Sequence, residues 1–143
     1  MIIEQFELVR QWKKIRGVGG NPNDPLMHRL QSQYQRVMQE VVEIHEAMVD
    51  NDDDEFQDAI GDAIVTLINL ADIADYDAEK CLEKAFNVIK LRKGITREVG
   101  DFVRYAKLSD EDKLICDEKQ GSPGSEYFDA SLLDKLEPEN FKR

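Results

Sequence analysis

Between Leu26 and Val49 the apolar residues fall at Met27, Leu30, Tyr34, Val37, Val41, Ile44 and Met48, an unbroken alternation of three and four. Only a helix gathers such a series onto one face, so the stretch reads as an amphipathic helix of roughly 36 Å, at ~1.5 Å per residue. Its neighbours in sequence read the same way. Ile2, Phe6, Val9 and Trp12 predict a helix from Ile2 to about Arg16, ended near Gly17. GVGGNPNDP is then a loop, because glycine, proline and Asn/Asp favour turns over a regular ladder. DNDDDE, from Asp50 to Glu55, supplies a turn and an acidic start for a third helix reaching about Ala74, its negative charge meeting the positive end of the dipole. That helix carries Ala59, Ile60, Ala63, Ile64, Leu67, Ile68 and Ala71 on most of its faces, which predicts a place in the middle of a bundle. Asp77 reads as the cap of a fourth helix ending at about Arg92, with Leu82, Ala85, Phe86 and Ile89 inward and Gly94 as its stop.

After Gly100 the periodicity thins. FVRYA suits a strand or a helix, SDEDKLICDEK reads as a short helix opened by Ser109, and QGSPGS as a loop. The expectation is an all-α chain. Residues 1–100 form an antiparallel bundle of about four main helices, and residues 101–143 a less regular extension packed on that domain or on a neighbouring subunit.

A chain of 143 residues suits a single domain. Thirty acidic against nineteen basic residues leave a formal charge of −11, which argues against nucleic acid held by direct phosphate contacts. A phosphate-bearing ligand needs a cation between itself and such a surface. Cys81 and Cys116 are too widely spaced for a zinc motif or a disulfide framework. The N-terminus is acidic where a signal peptide is basic, and the most apolar run, Ala63 to Ala71, falls far short of the ~20 residues of a membrane span. The expected location is cytoplasmic, with no membrane partner.

Beside the apolar stripe of the long helix runs a polar one: Gln33, Arg36, Glu40 and Glu43. Glu40 and Glu43, three apart, share a helical face, as do Asp58 and Asp62, four apart on the next helix. If the two helices pack antiparallel across their short connection, the four carboxylates meet at one level. Carboxylates so gathered repel one another unless a cation neutralises them. An all-oxygen set suits a hard divalent ion such as Mg²⁺, which keeps waters and bridges to phosphates. The bland alternative is that such pairs lie on solvated helix faces. Asp62, set among apolar neighbours, is expected to need a partner, either the ion or a structural one such as Arg36.

These residues resemble the all-alpha nucleoside triphosphate pyrophosphohydrolases, the superfamily of the MazG-like enzymes. EVVE, Glu40 to Glu43, resembles the first half of the family's E-x-x-E pattern, and DAIGD, Asp58 to Asp62, the E-x-x-D half in its E-L-G-D context. QYQRVMQEVVEIHEAM and NVIKLRKG are similar to two further family segments, and the likeness runs from about Phe6 to Val103. One departure stands out: the family's glutamate falls on Ala59, with Asp58 the nearest substitute.

The resemblance implies cleavage between the α and β phosphates of a nucleoside triphosphate, with Glu40, Glu43 and Asp62 as catalytic acids. These three and Asp58 would hold Mg²⁺, for which Mn²⁺ can substitute. It implies Gln33, Arg36, Asn87, Lys90, Arg92, Lys93 and Trp12 around the substrate, although Arg92 and Lys93 also suit a basic C-terminal turn and Trp12 and Tyr34 a core or subunit interface. A homodimer or homotetramer is expected, because four modest helices leave apolar surface to cover. A ferritin-like site is excluded, since neither His28 nor His45 follows a Glu by three, and GVGGNPND lacks the lysine of a P-loop. The rival reading is a helical scaffold of the same fold that has lost turnover, and Ala59 favours it.

Overall fold

The computed structural model describes residues 2–128, the side chains of Ile2 and Ile3 excepted. Five helices dominate: α1 (Ile2–Arg16), α2 (Leu26–Asp50), α3 (Asp53–Ile73), α4 (Ala78–Ile89) and α5 (Asp110–Gln120). A two-stranded hairpin, β1 (Gly94–Thr96) and β2 (Phe102–Arg104), and a 3₁₀ turn at Tyr105–Lys107 lie between α4 and α5. The all-α reading holds, with this small hairpin as the addition. No described helix is long and apolar enough to cross a membrane.

The chain divides into two units, Met1–Glu83 and Lys84–Arg143. In the first, α2 and α3 form an antiparallel pair joined by two residues. Asn51 takes a left-handed turn (φ 54°), and the side chain of Asp52 accepts a hydrogen bond from Glu55 N at 3.0 Å, capping α3. Small residues bring the helices together: Ala47 on α2 and Ala59 and Ala63 on α3 are buried, with Val37, Ile68 and Ile73 along the same core. The Nε2 of Gln33 donates to Thr66 O at 3.0 Å, which pins the register. α1 is tied to α3 by an ion pair between Lys13 and Asp72, and Arg10 reaches Glu79.

The buried face of α2 is the apolar stripe only in part, through Val37 and the half-buried Leu30 and Ile44. Gln33, Val37 and Ala47 are buried and Glu40 half-buried, whereas Met27, Tyr34, Val41 and Met48 are open to solvent. The helix is rotated so that its polar stripe turns toward α3. The expected central burial of α3 is likewise incomplete: Ile64 and Leu67 are 46% and 49% exposed in the single chain. α4 is a clearer correction, because Leu82, Ala85, Phe86 and Ile89 were expected inward and no residue of this helix is buried.

In the second unit β1 pairs antiparallel with β2, Ile95 opposite Val103. Gly94 is required there, since a Cβ at this position would come within 2.2 Å of Val103 O. Ser109 caps α5, accepting from Asp112 N at 3.2 Å, as its position in the sequence suggested. The unit is centred on Lys93, which is fully buried. Its ammonium donates to Asp117 Oδ1 (2.5 Å), Gly121 O (2.8 Å) and Ser122 O (3.0 Å), and it lies 4.4 Å from the centre of the Tyr105 ring. Tyr105 Oη in turn donates to Asp117 Oδ2 at 3.0 Å. Lys93 therefore binds the segment before residue 100 to the one after it.

Candidate active site

A cavity of about 440 Å³ opens within Met1–Glu83, walled by α1, the loop after it, α2 and α3. α2 contributes Arg29, Ser32, Gln33, Arg36 and Glu40; α3 contributes Asp62, Val65, Thr66, Asn69 and Ile73. Trp12 and the loop residues Val18, Gly19 and Gly20 complete the wall. The loop is shaped by its glycines. Gly19 has φ +112°, and a Cβ there would press to 2.9 Å from the Cε of Lys13. Arg29 Nε holds the same residue by donating to Gly19 O at 3.0 Å.

The antiparallel register gives the cavity two chemically distinct ends. Glu40 faces Asp62 at one end, and Gln33 lies beside Thr66 and Asn69 at the other. Each pair of ends is seven residues apart on its helix, two turns or about 10 Å.

At the acidic end, burial raises the Glu40 carboxyl above its usual range, and the charges of Glu43 and Asp62 push it further, against a downward pull from Arg36. Asp62 is raised by partial burial and then by Asp58 and Glu43. Glu40 and Asp62 thus feel neighbouring acids of both helices. Glu40 Oε2 is buried and has no hydrogen-bond partner. As the side chains stand, no three His, Cys, Asp or Glu residues among those described form a ligand group for a metal ion. Glu40 and Asp62 line the cavity, while Glu43 and Asp58 are exposed beside it. The residues fit a hard divalent cation in the chemistry of their donors: all are oxygens, mutually repulsive, and one is buried without a partner.

Other expected site residues divide sharply. Trp12, Gln33 and Arg36 line the cavity, but Tyr34 is exposed away from it. Among the described residues no ion pair joins Arg36 to Asp62, so that structural alternative is not formed, and Asp62 is an exposed residue rather than a buried one. Asn87, Lys90 and Arg92 belong to Lys84–Arg143. Asn87 and Lys90 are exposed, the ammonium of Lys90 sits 5.6 Å from the Phe86 ring centre, and Arg92 pairs with Tyr127 in an isolated bridge. Lys93 was expected to neutralise phosphate, but its ammonium is enclosed by three acceptors of its own chain. The sequence reading missed Arg29, Asn69 and the Gly19–Gly20 wall. Asn69 carried a visible signal, a lone carboxamide inside the apolar run AIVTLINLA.

A model of the MazG nucleotide pyrophosphohydrolase domain matches residues 28–102, just over half of the chain. That span includes Glu40, Glu43, Asp58, Asp62 and Asn69. Neither a search of curated proteins nor one of solved structures found a match.

Proposed function

Since the chain belongs to the MazG nucleotide pyrophosphohydrolase domain family, we propose that it hydrolyses a nucleoside triphosphate to the monophosphate and pyrophosphate, with Mg²⁺ held at the acidic end of the cavity. The single observation that carries this reading is the half-buried carboxylate of Glu40, which lines the cavity with Asp62 and keeps one enclosed oxygen, Oε2, unpartnered. Glu40, Glu43, Asp58 and Asp62 would hold the ion, with Mn²⁺ as the substitute; when bound it would supply positive charge to offset the phosphates and to activate the attacking water.

The chain's own groups supply the rest. Water adds to the α phosphorus, pyrophosphate leaves with the bridging oxygen, and the water's proton passes to a carboxylate of the cluster. Arg36, one helical turn from Glu40 on the same cavity wall, brings positive charge to the phosphates, while Trp12 offers a flat apolar wall. A homodimer or homotetramer is part of the proposal. The open Ile60, Ile64 and Leu67 on α3 and Val41 and Val42 on α2 present apolar surface that a second copy would cover.

The second reading, a scaffold without turnover, has one specific observation behind it: the family glutamate is replaced by Ala59, which is buried and offers no ligand. Pyrophosphate release from a panel of ribo- and deoxyribonucleoside triphosphates with Mg²⁺ or Mn²⁺ separates the two. Hydrolysis by the wild type, with kcat reduced about 100-fold or more in Glu40→Gln and Glu43→Ala, is the expected result. A wild type as inert as both variants on every nucleotide supports the scaffold instead.

A further inference from the structure

Two buried side-chain oxygens among the described residues have no hydrogen-bond partner, Glu40 Oε2 and Asn69 Oδ1, and both residues line the same cavity. The first is explained by the acidic cluster. The second is not. Asn69 is 3% exposed, sits in the most apolar helix of the chain, and its carboxamide makes no hydrogen bond to cap a turn or brace a loop. A buried acceptor left unmade is costly, and in native structures such a group calls for a specific explanation. Its neighbour Gln33 is different, for that side chain already donates to Thr66 O.

We propose that the carboxamide of Asn69 recognises the base of the bound nucleotide and so sets base preference. The inference rests on the nucleotide reading given above. Asn69 stands two helical turns, about 10 Å, along α3 from Asp62. A nucleotide whose phosphates lie at the acids therefore extends its base toward the carboxamide. Oδ1 accepts an N–H from the base edge, and the amide nitrogen donates to an adjacent ring nitrogen or carbonyl, the two-point contact a carboxamide makes best. A site built on such a contact rejects bases that leave its buried polar atoms unpaired. Trp12 on the same wall supplies apolar contact without choosing among bases.

The test uses titration calorimetry of the whole chain, wild type against Asn69→Leu and Asn69→Asp, with ATP, GTP, CTP, UTP and inorganic tripolyphosphate in Ca²⁺. Leu removes the amide at similar volume, whereas Asp keeps the acceptor oxygen and replaces the donor nitrogen with a second oxygen. The wild type is expected to rank the nucleotides. Asn69→Leu should weaken the preferred one by about tenfold or more and flatten the ranking. Tripolyphosphate affinity should stay within about twofold, because the acidic end is untouched. Asn69→Asp should also lose the ranking. Ligand-free Asn69→Leu should melt at least as high as the wild type, since no hydrogen bond is lost.

An unchanged ranking in both variants overturns the assignment. So does an equal loss for nucleotides and tripolyphosphate, a lowered melting point in ligand-free Asn69→Leu, which marks a bracing role, or a wild type that binds no nucleotide. The two proposals fail separately. Ranked binding without pyrophosphate release removes the reaction and leaves base recognition standing, and cleavage with the same ranking in Asn69→Leu does the reverse.

Discussion

Both units of the molecule bury charged or polar side chains, and they treat them in opposite ways. In Lys84–Arg143, Lys93 is completely enclosed and its ammonium meets three oxygens, while Asp117 receives Lys93, Tyr105 and the Gly124 backbone. In Met1–Glu83, Glu40 and Asn69 each keep a buried oxygen unpaired, and neighbouring acids stand close enough to raise the carboxyls of Glu40 and Asp62. The first arrangement is what a scaffold needs, since a buried ion pair holds structure when every donor is matched. The second leaves the folded chain less stable than apolar packing would, which is the condition of a site that something else completes. Buried polarity alone therefore does not mark function; buried polarity left unanswered does.

Substitutions that remove one partner sharpen this contrast. Lys93→Met leaves Asp117 without its cation and should lower the melting temperature by roughly 10 °C or more, read by circular dichroism. A melt within a degree of wild type would mean the enclosed pair is not the anchor of its unit. Glu40→Gln and Asp62→Asn should move the other way. Each relieves repulsion among the acids, so without divalent ions at neutral pH these variants should melt roughly one to a few degrees higher than wild type while losing activity. A lower melting point in both would break the comparison.

Acid should divide the units as well. Lys93 first, and then Tyr105 and Gly124, depress the Asp117 carboxyl. The stability it contributes is present above the unfolded carboxyl value of about 3.9 and is lost as pH falls through the lower folded value. Glu40 and Asp62 are raised, so they oppose folding above their folded values, and that opposition is relieved as pH falls from there toward the unfolded ones. Metal-free wild type should thus gain stability on mild acidification and lose it only at stronger acid. Melting curves across pH should show the gain abolished in the Glu40→Gln, Asp62→Asn double variant. The smallest effect is expected from Arg97→Ala. Its exposed pair with Asp101 closes a hairpin turn, and its loss should leave the melting temperature within about 1 °C.

How far the residues disclosed all this depended on the range of the interactions. Helical periodicity located α2 and α3 to within a residue or two at either end, because it depends on neighbours three and four apart. The pairing of Glu40 with the DAIGD segment followed from the short Asn51–Asp52 turn, which forces the antiparallel register. How far α2 rotates toward its polar stripe was not legible, since Ala47, Ala59 and Ala63 draw the helices together on a face that carries Gln33 and Glu40. Lys93 was misread for a related reason. Its carboxylate partner lies 24 residues further on, and nothing in NVIKLRKG distinguishes a solvated basic turn from one enclosed by a later helix. α4 also ends at Ile89, before the Arg92 expected, where the backbone leaves the helix toward Tyr127.

The enclosure of Lys93 bears on how this protein can be divided. A fragment cut after Gly100 would retain the lysine and discard Asp117, Gly121 and Ser122, exposing a bare cation where the intact chain provides a closed shell of oxygens. The match to the family domain stops at residue 102, so an expression boundary drawn from homology alone would leave the Lys93 ammonium without the oxygens that compensate its charge.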